Sequence, residues 1–533
     1  MPQPLRGRAA VSRNGACALI RTLLDSGVDT CFANPGTSEM HFVAALDAER
    51  GMHAVLGLFE GVVTGAADGY GRMTGRPAVA LLHLGPGLGN GIANLHNARR
   101  ARTPLVAVVG DHATYHKRRD APLESDIDAL AGTVSRWVRR SWRPGDVGAD
   151  AAAAVAAART PPCGVATLIL PADASWSDGG IVGPPVAPAP RAPVADDTVA
   201  AVAAILRTGE PTVVLLGGTV VGSDAAIAAA TRVAGASGAR LLCETFPARQ
   251  RRGLGVARIG RVAYLAEMAT AQLAGVRHLV LVEAASPVSF FAYPGRPGDL
   301  VPEGCTVHTL AAPGDDGAAA LAALVAALPD ADSDPPPSSS APAEAPSRPD
   351  RPTGRLDADR VMAAIGALLP DDAIVVDEAI TSGFGLGPAT AGAPPHDVLT
   401  LTGGAIGFGL PAATGAAVAC RERPVVCVQA DGSAMYTLTA LWTQAREGLD
   451  VTTVLLNNRS YAILRMELQR VEAGEAGPVA SGLLDLGGPD LDFVALARGL
   501  GVPASRAETG EELVAALRAA LGEPGPHLVE CII

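Results

Sequence analysis

The chain has 533 residues and a formal net charge of −12; 48% of its residues are hydrophobic and only 4% aromatic. Its length exceeds one core and predicts about three domains, while the acidic balance, with no long basic run, excludes nucleic acid or an anionic membrane as the main partner. The eight cysteines are dispersed without metal spacing, no secretory core opens the sequence, and no apolar span is long enough to cross a membrane, so a cytoplasmic protein with reduced thiols is expected.

Residues 12–28 read as a helix ending at Gly27, followed by a strand over Asp29–Ala33 and a turn, Asn34-Pro35-Gly36-Thr37-Ser38-Glu39. Leu56–Phe59 reads as a strand running into Glu60, and Gly61–Met73 as a helix with one face of small residues. Val79–His83 is a strand, Leu84–Asn90 a glycine-rich turn, and a helix then runs to Arg99. Leu105–Gly110 and Val165–Leu170 are buried strands. This alternation predicts a parallel sheet covered by helices. A linker over 181–197 leads to a second α/β block with strands at Thr212–Leu216, Ala239–Cys243, His278–Val282 and Thr306–Leu310. The Pro/Ser-rich stretch 330–354 is the clearest linker. The third block, from Arg355, has strands near Ile374, Leu399, Val425, Val454 and His527. The fold class is α/β, with three doubly wound parallel-sheet domains over 1–180, 196–329 and 355–533.

The most informative stretch is Val425–Arg465. A strand ends at Asp431-Gly432-Ser433, which caps a helix; Gly448 stops that helix, and a second strand ends at Asn457-Asn458. A right-handed crossover puts both turns at the carboxyl edge of a parallel sheet. Asp431 and Asn458 then form a hard-oxygen pair suited to Mg²⁺ bound with a phosphate-bearing partner, and the helix N-terminus adds N–H groups for the phosphate. An ordinary βαβ unit with a polar turn is the plain reading of the same residues.

This stretch resembles the diphosphate-binding motif of thiamine diphosphate (ThDP) enzymes, with Ala430 in place of the motif's first glycine. The resemblance implies that Asp431, Asn458 and the Ser460 carbonyl hold Mg²⁺ against the diphosphate, with Gly432, Ser433 and Tyr461 beside it. FEGVVTGAADGYGRMTG resembles the segment carrying the glutamate that activates the cofactor, a role that passes to Glu60; a helix-starting glutamate is the simpler account. Leu401–Pro411 resembles the loop around the middle of the cofactor, with Gly404 and Ile406 at the positions that receive its amino group and bend it. Asp377–Ser382 matches a diphosphate-side strand end with its hydroxyls in a shifted register.

His83 ends a strand, where a group titrating near neutral pH suits proton transfer. Benzoylformate decarboxylase, a family member, has a histidine there, and its Asn-Pro-Gly-Ser turn is similar to Asn34–Thr37, placing Thr37 against substrate. Where that enzyme keeps a second catalytic histidine, this chain offers Phe290, Phe291 and Tyr293. Ile463, Leu464 and His112 are further pocket candidates, and His116 reads as a surface loop residue. The resemblance spans nearly the whole chain: pyrimidine-binding, central and diphosphate-binding domains. It implies ThDP- and Mg²⁺-dependent decarboxylation of a 2-keto acid through a cofactor-held carbanion, in a homodimer or homotetramer with the site between subunits. Acetolactate-synthase-like carboligation is the alternative, and a non-catalytic ThDP-binding paralogue a further one. FAD, which acetolactate synthases carry centrally, is not expected.

Overall fold

The computed structural model describes residues 13–293, 295–328, 346–471 and 476–533. It contains three sheets. The first has six parallel strands, β1 (Thr30–Ala33), β2 (His53–Leu56), β3 (Val79–Leu82), β4 (Leu105–Asp111), β5 (Trp137–Arg140) and β6 (Val165–Pro171), in the order β2-β1-β3-β4-β6-β5. Five parallel strands form the second: β7 (Thr212–Leu216), β8 (Arg240–Cys243), β10 (Gly260–Arg261), β11 (His278–Val282) and β12 (Thr306–Ala311), in the order β10-β8-β7-β11-β12. The third comprises β9 (Arg249–Arg252), β13 (Ile374–Glu378), β14 (His396–Thr400), β15 (Val425–Ala430), β16 (Val451–Asn457), β17 (Ala504–Ala507) and β18 (His527–Ile532). Its order is β17-β18-β16-β15-β13-β14-β9.

Helices cover both faces of the sheets, so strand residues are buried on alternate sides. In the second sheet Val214, Leu216, Val280 and Val282 join one core, and Val213, Leu215, Leu279 and Leu281 the other. This double burial is why these strands read as continuous apolar runs.

The described residues up to Ala189, apart from Arg100–Arg102, make one compact unit; Arg100–Arg102 and the residues from Pro190 onward make another. The second and third sheets share a unit because β9 crosses from the central segment and pairs antiparallel with β14, Arg252 opposite His396 and Arg249 opposite Leu399. Buried Asp397 fastens this edge, accepting from Arg249 at 2.7 Å and from Arg423 at 2.7 Å. Of the proline-rich linker, 330–345 lies outside the described residues.

Two local expectations are corrected. The strand before Glu60 is His53–Leu56, not Leu56–Phe59: its four residues pair with Thr30–Ala33, and Gly57 adds the last rung by donating its N–H to the Ala33 carbonyl at 3.0 Å. The glycine-rich Leu84–Asn90 stretch is not a turn but the start of a helix, Leu84–Ala101. Its glycines answer close packing. A Cβ on Gly85 would lie 1.7 Å from Ser125 Oγ, and one on Gly91 2.8 Å from Thr64 Cγ2.

Candidate active site

In the first sheet β1 and β3 are neighbours, and the chain winds outward from them in opposite directions. Open α/β sheets bind ligands in the crevice at such a reversal. The turns beyond these strands carry Gly36 and His83, and they touch: a Cβ on Gly36 would lie 2.2 Å from His83 Nδ1. A 3-10 turn, Thr37–Glu39, then swings Glu39 back toward the sheet. The buried Glu39 carboxylate accepts the Gly36 N–H at 2.8 Å and the Ser38 hydroxyl, and sits 2.8 Å from His83 Nδ1. An ionised carboxylate only accepts, which assigns the Nδ1 proton to this contact and leaves Nε2 as the nitrogen for other chemistry.

Glu60 opens the Glu60–Thr74 helix, where the helix dipole favours a negative charge. It is buried, and Asn90 Nδ2 donates to its Oε2 at 3.0 Å. Gly87 lies between the two chemical groups: a Cβ there would be 2.9 Å from Glu60 Oε1 and 3.3 Å from His83 Cβ. The structure thus gathers Glu60, His83, Glu39 and Asn90 around one glycine-walled crevice. Thr37 is exposed beside it. His112 ends up against His116, ring centroids 5.6 Å apart, its buried Nε2 without a hydrogen-bond partner.

In the second unit β13 and β15 form the reversal of the third sheet. Asp431 follows β15 and starts the Asp431–Thr437 helix; Asn458 follows β16, the parallel neighbour in which Leu456 faces Ala430. The two turns meet. Asp431 accepts the N–H of Gly432 at 2.7 Å and of Arg459 at 2.7 Å, and Asn458 Oδ1 accepts the Ser460 N–H at 2.9 Å. Burial pushes the Asp431 carboxyl up from its ordinary value, and these N–H donors act against it. Ser433 Oγ takes a hydrogen bond from Gln429 at 2.8 Å. Tyr461 closes on Gly432, where a Cβ would lie 2.4 Å from its ring. A carboxylate, an amide oxygen and the Ser460 carbonyl are hard-oxygen donors of the kind Mg²⁺ takes, and the N–H groups beside them suit a diphosphate.

Gly404 is exposed at φ +73°, on the loop that also holds half-buried Ile406. Glu378, at the end of β13, pins this loop. It accepts the N–H groups of Gly407, Phe408 and Gly409 at 2.9, 3.0 and 2.7 Å, and Gln429 Nε2 at 2.9 Å. Burial raises the Glu378 carboxyl, and these donors oppose the rise. Ile380, within the stretch matched to the diphosphate side, adopts φ +52°; left-handed backbone costs a non-glycine residue about 1–2 kcal/mol.

An aromatic cluster reaches this loop. A Cβ on Gly404 would be 2.6 Å from Phe290 Cζ. Phe290 packs with Tyr264, Phe246 and Phe291 at ring-centroid distances of 5.3, 6.0 and 5.1 Å. Tyr293 donates to Glu467 at 2.8 Å, on the Ala462–Arg470 helix that also carries Ile463 and exposed Leu464. The roles of Glu39, Asn90 and Glu378 escape the sequence reading. Glu39 carries the weak signal of a glutamate three residues after a turn glycine, reaching back as in a capping box. Glu378 carries none, since its acceptor role depends on a loop far along the chain.

The chain is similar to known proteins along most of its length. Residues 13–131 match the family described as "Thiamine pyrophosphate enzyme, N-terminal TPP binding domain", and residues 389–531 its C-terminal TPP binding domain. IlvX of Mycobacterium tuberculosis (strain ATCC 25618 / H37Rv), provisionally named an acetolactate synthase large subunit, is 62% identical over 98% of this chain and 99% of its own. A benzoylformate decarboxylase of Pseudomonas aeruginosa is 32% identical, covering 95% of this chain and 96% of its own. Among solved structures, a ThDP-dependent 4-hydroxybenzoylformate decarboxylase of Rhodococcus jostii RHA1 superposes with a TM-score of 0.81 at 26% identity, covering 97% of this chain and 98% of its own. With a buried glutamate in one unit, a hard-oxygen turn in the other and relatives along its whole length, the chain belongs to the thiamine pyrophosphate-dependent enzymes.

Proposed function

We propose that the chain decarboxylates a 2-keto acid with ThDP and Mg²⁺, releasing an aldehyde in the manner of benzoylformate decarboxylase. The observation that carries this reading is the Glu39–His83 pair, with Nδ1 held 2.8 Å from a buried carboxylate. The net reaction, 2-keto acid anion plus H⁺ giving aldehyde plus CO₂, consumes one proton, and His83 Nε2 is a nitrogen oriented to deliver it. When bound, the cofactor supplies the electron sink for breaking the carbon–carbon bond. Glu60 would be the carboxyl set against the cofactor's aminopyrimidine, able to exchange a proton there. Asp431, Asn458 and Ser460 would hold Mg²⁺, and Gly404, Ile406, Gly432, Ser433 and Tyr461 would hold the cofactor. Phe290, Phe291, Ile463 and Leu464 supply an apolar wall, and Thr37 and His112 stand toward the substrate. The working unit is a homodimer or homotetramer in which one copy's Glu60 serves cofactor held by another.

Carboligation of acetolactate-synthase type is the second reading, favoured by the absence of histidine from the Phe246–Tyr264–Phe290–Phe291 cluster. Purified protein with ThDP and Mg²⁺ is assayed for CO₂ release from 2-keto acids ranging from pyruvate to benzoylformate, with Glu60→Gln as control. Aldehyde equal to CO₂ supports the first reading, and a two-substrate condensation product the second. Release that persists in Glu60→Gln sinks the assignment of Glu60.

A further inference from the structure

The proposed reaction leaves the crevice of the second sheet unused. Its order places β7 and β11 side by side, with β8 and β10 on one flank and β12 on the other, so the winding reverses between the carboxyl ends of β7 and β11. At such a reversal nucleotide phosphates are received by a glycine-rich turn and by N–H groups at a helix N-terminus. Both parts are present. β7 runs into Gly217-Gly218-Thr219, and after β12 the Gly317–Ala327 helix begins.

A carboxylate from the chain itself occupies this seat. Glu283, the first residue after β11, is buried. It accepts the Thr219 N–H at 2.8 Å, the Thr219 hydroxyl at 3.0 Å and the Gly317 N–H at 3.2 Å, and it pairs with Arg191 at 3.2 Å. It also fills the space against both glycines: a Cβ on Gly218 would lie 2.4 Å from Glu283 Oε2, and one on Gly317 2.8 Å from Oε1. Its backbone has φ +54°, a conformation that glycine adopts without penalty. A second carboxylate, Glu244, stands beyond β8, its Cδ 2.7 Å from where a Gly217 Cβ would be. An incoming phosphate would have to expel one carboxylate and settle beside another.

We infer that Glu283 is the internal anion of the central crevice and closes it to nucleotide diphosphates, flavin adenine dinucleotide included. The group that acetolactate synthases carry in this domain does not fit the residues present. This inference is independent of whether the reaction is decarboxylation or ligation.

The test uses the full chain saturated with ThDP and Mg²⁺, titrated with ADP and separately with FAD while Tm and flavin fluorescence are followed. Wild type shows no saturable change. Glu283→Gly, which accepts the backbone angle and removes the carboxylate, gains a saturable rise of several degrees with ADP or FAD while retaining wild-type CO₂ release. Should the glycine variant not fold, Glu283→Asn, shorter, neutral and tolerant of positive φ, takes its place with the same expectation. Flavin retained by the wild-type protein, or a nucleotide-dependent shift in wild type, overturns the inference. So does a folded variant that gains nothing.

Discussion

Glu39→Gln is the sharpest test of the proposed proton transfer. The substitution keeps the volume of a side chain packed against Gly110, where a Cβ would lie 1.7 Å from Glu39 Oε1, but removes the charge that faces His83. Glu39 Oε2 receives both Gly36 N–H and His83 Nδ1, each at 2.8 Å; an amide oxygen can still receive both, though only as neutral acceptor. A hydrogen bond to a charged group contributes about 1.5–3 kcal/mol, against about 1 kcal/mol for a neutral one. If the difference falls on the transition state, where His83 changes charge, about 0.5–2 kcal/mol is lost, and kcat drops by roughly 2- to 30-fold. Glu39 acts through His83, so KM and ThDP affinity stay within about twofold. Steady-state aldehyde formation, paired with calorimetric ThDP binding, separates these quantities. A Glu39→Gln enzyme with wild-type kcat, or one whose loss lies wholly in KM, would refute the positioning role, and a lowered Tm with unchanged kcat per folded molecule would make the pair structural.

Three further outcomes are expected. Asp431→Ala removes a proposed Mg²⁺ ligand; since losing an outer-shell partner alone costs about 10- to 100-fold in metal affinity, Mg²⁺-dependent ThDP binding should weaken at least that much by calorimetry, and unchanged binding would exclude Asp431 as a ligand. Asp397→Asn leaves Arg249 and Arg423 without their buried partner and should cost near the lower end of about 3–5 kcal/mol in denaturant unfolding, because Arg249 keeps 31% side-chain exposure. Burial raises the Asp397 carboxyl, but Arg249 and Arg423 outweigh it and leave it below its ordinary value of 3.8. Its stabilisation is therefore present above that pH and lost as pH falls through the lowered value, so the wild-type advantage over Asp397→Asn should vanish only in strong acid. His396 behaves oppositely. Burial holds its imidazole down to about 4 from 6.5, and its Nε2 has no hydrogen-bond partner. The unfolded chain binds this proton first, so about 3 kcal/mol of stability should drain away between pH 6.5 and 4. A His396→Gln protein that loses as much over the same window would contradict the assignment.

What could be read from residues alone follows from how local each signal is. Val213–Leu216 and Leu279–Val282 are apolar throughout because both faces are covered, and the strands read over Thr212–Leu216 and His278–Val282 match the observed ones residue for residue. Asp431 and Asn458 were legible because adjacent parallel strands must end at the same sheet edge. Arg249–Arg252 was not: four polar or cationic residues show no strand pattern, and the segment is ordered by Asp397, whose identity as its partner depends on tertiary folding. The Leu84–Asn90 glycines suggest a turn by their conformational freedom, whereas the folded chain uses Gly85 and Gly87 for clearance around Ser125, Glu60 and His83. Glu39 and Glu283 escaped for a related reason. A lone glutamate near a strand end looks like surface until the donors that surround it are assembled.

The antiparallel pairing of β9 with β14 bears on how this chain can be cut or recombined. A fragment beginning at Arg355 would contain every proposed metal and loop residue, yet it would leave the β14 edge with open N–H and C=O groups. Such an edge is a template for another chain's strand. It would also leave Asp397 without Arg249, with Arg423 as its remaining close partner. The fragment should therefore self-associate unless a strand equivalent to Arg249–Arg252 is supplied in trans. By the same logic, a chimaera exchanging the central segment for a relative's must bring an edge strand whose arginine can reach Asp397, so the heritable module of the cofactor half begins well before the proline-rich linker.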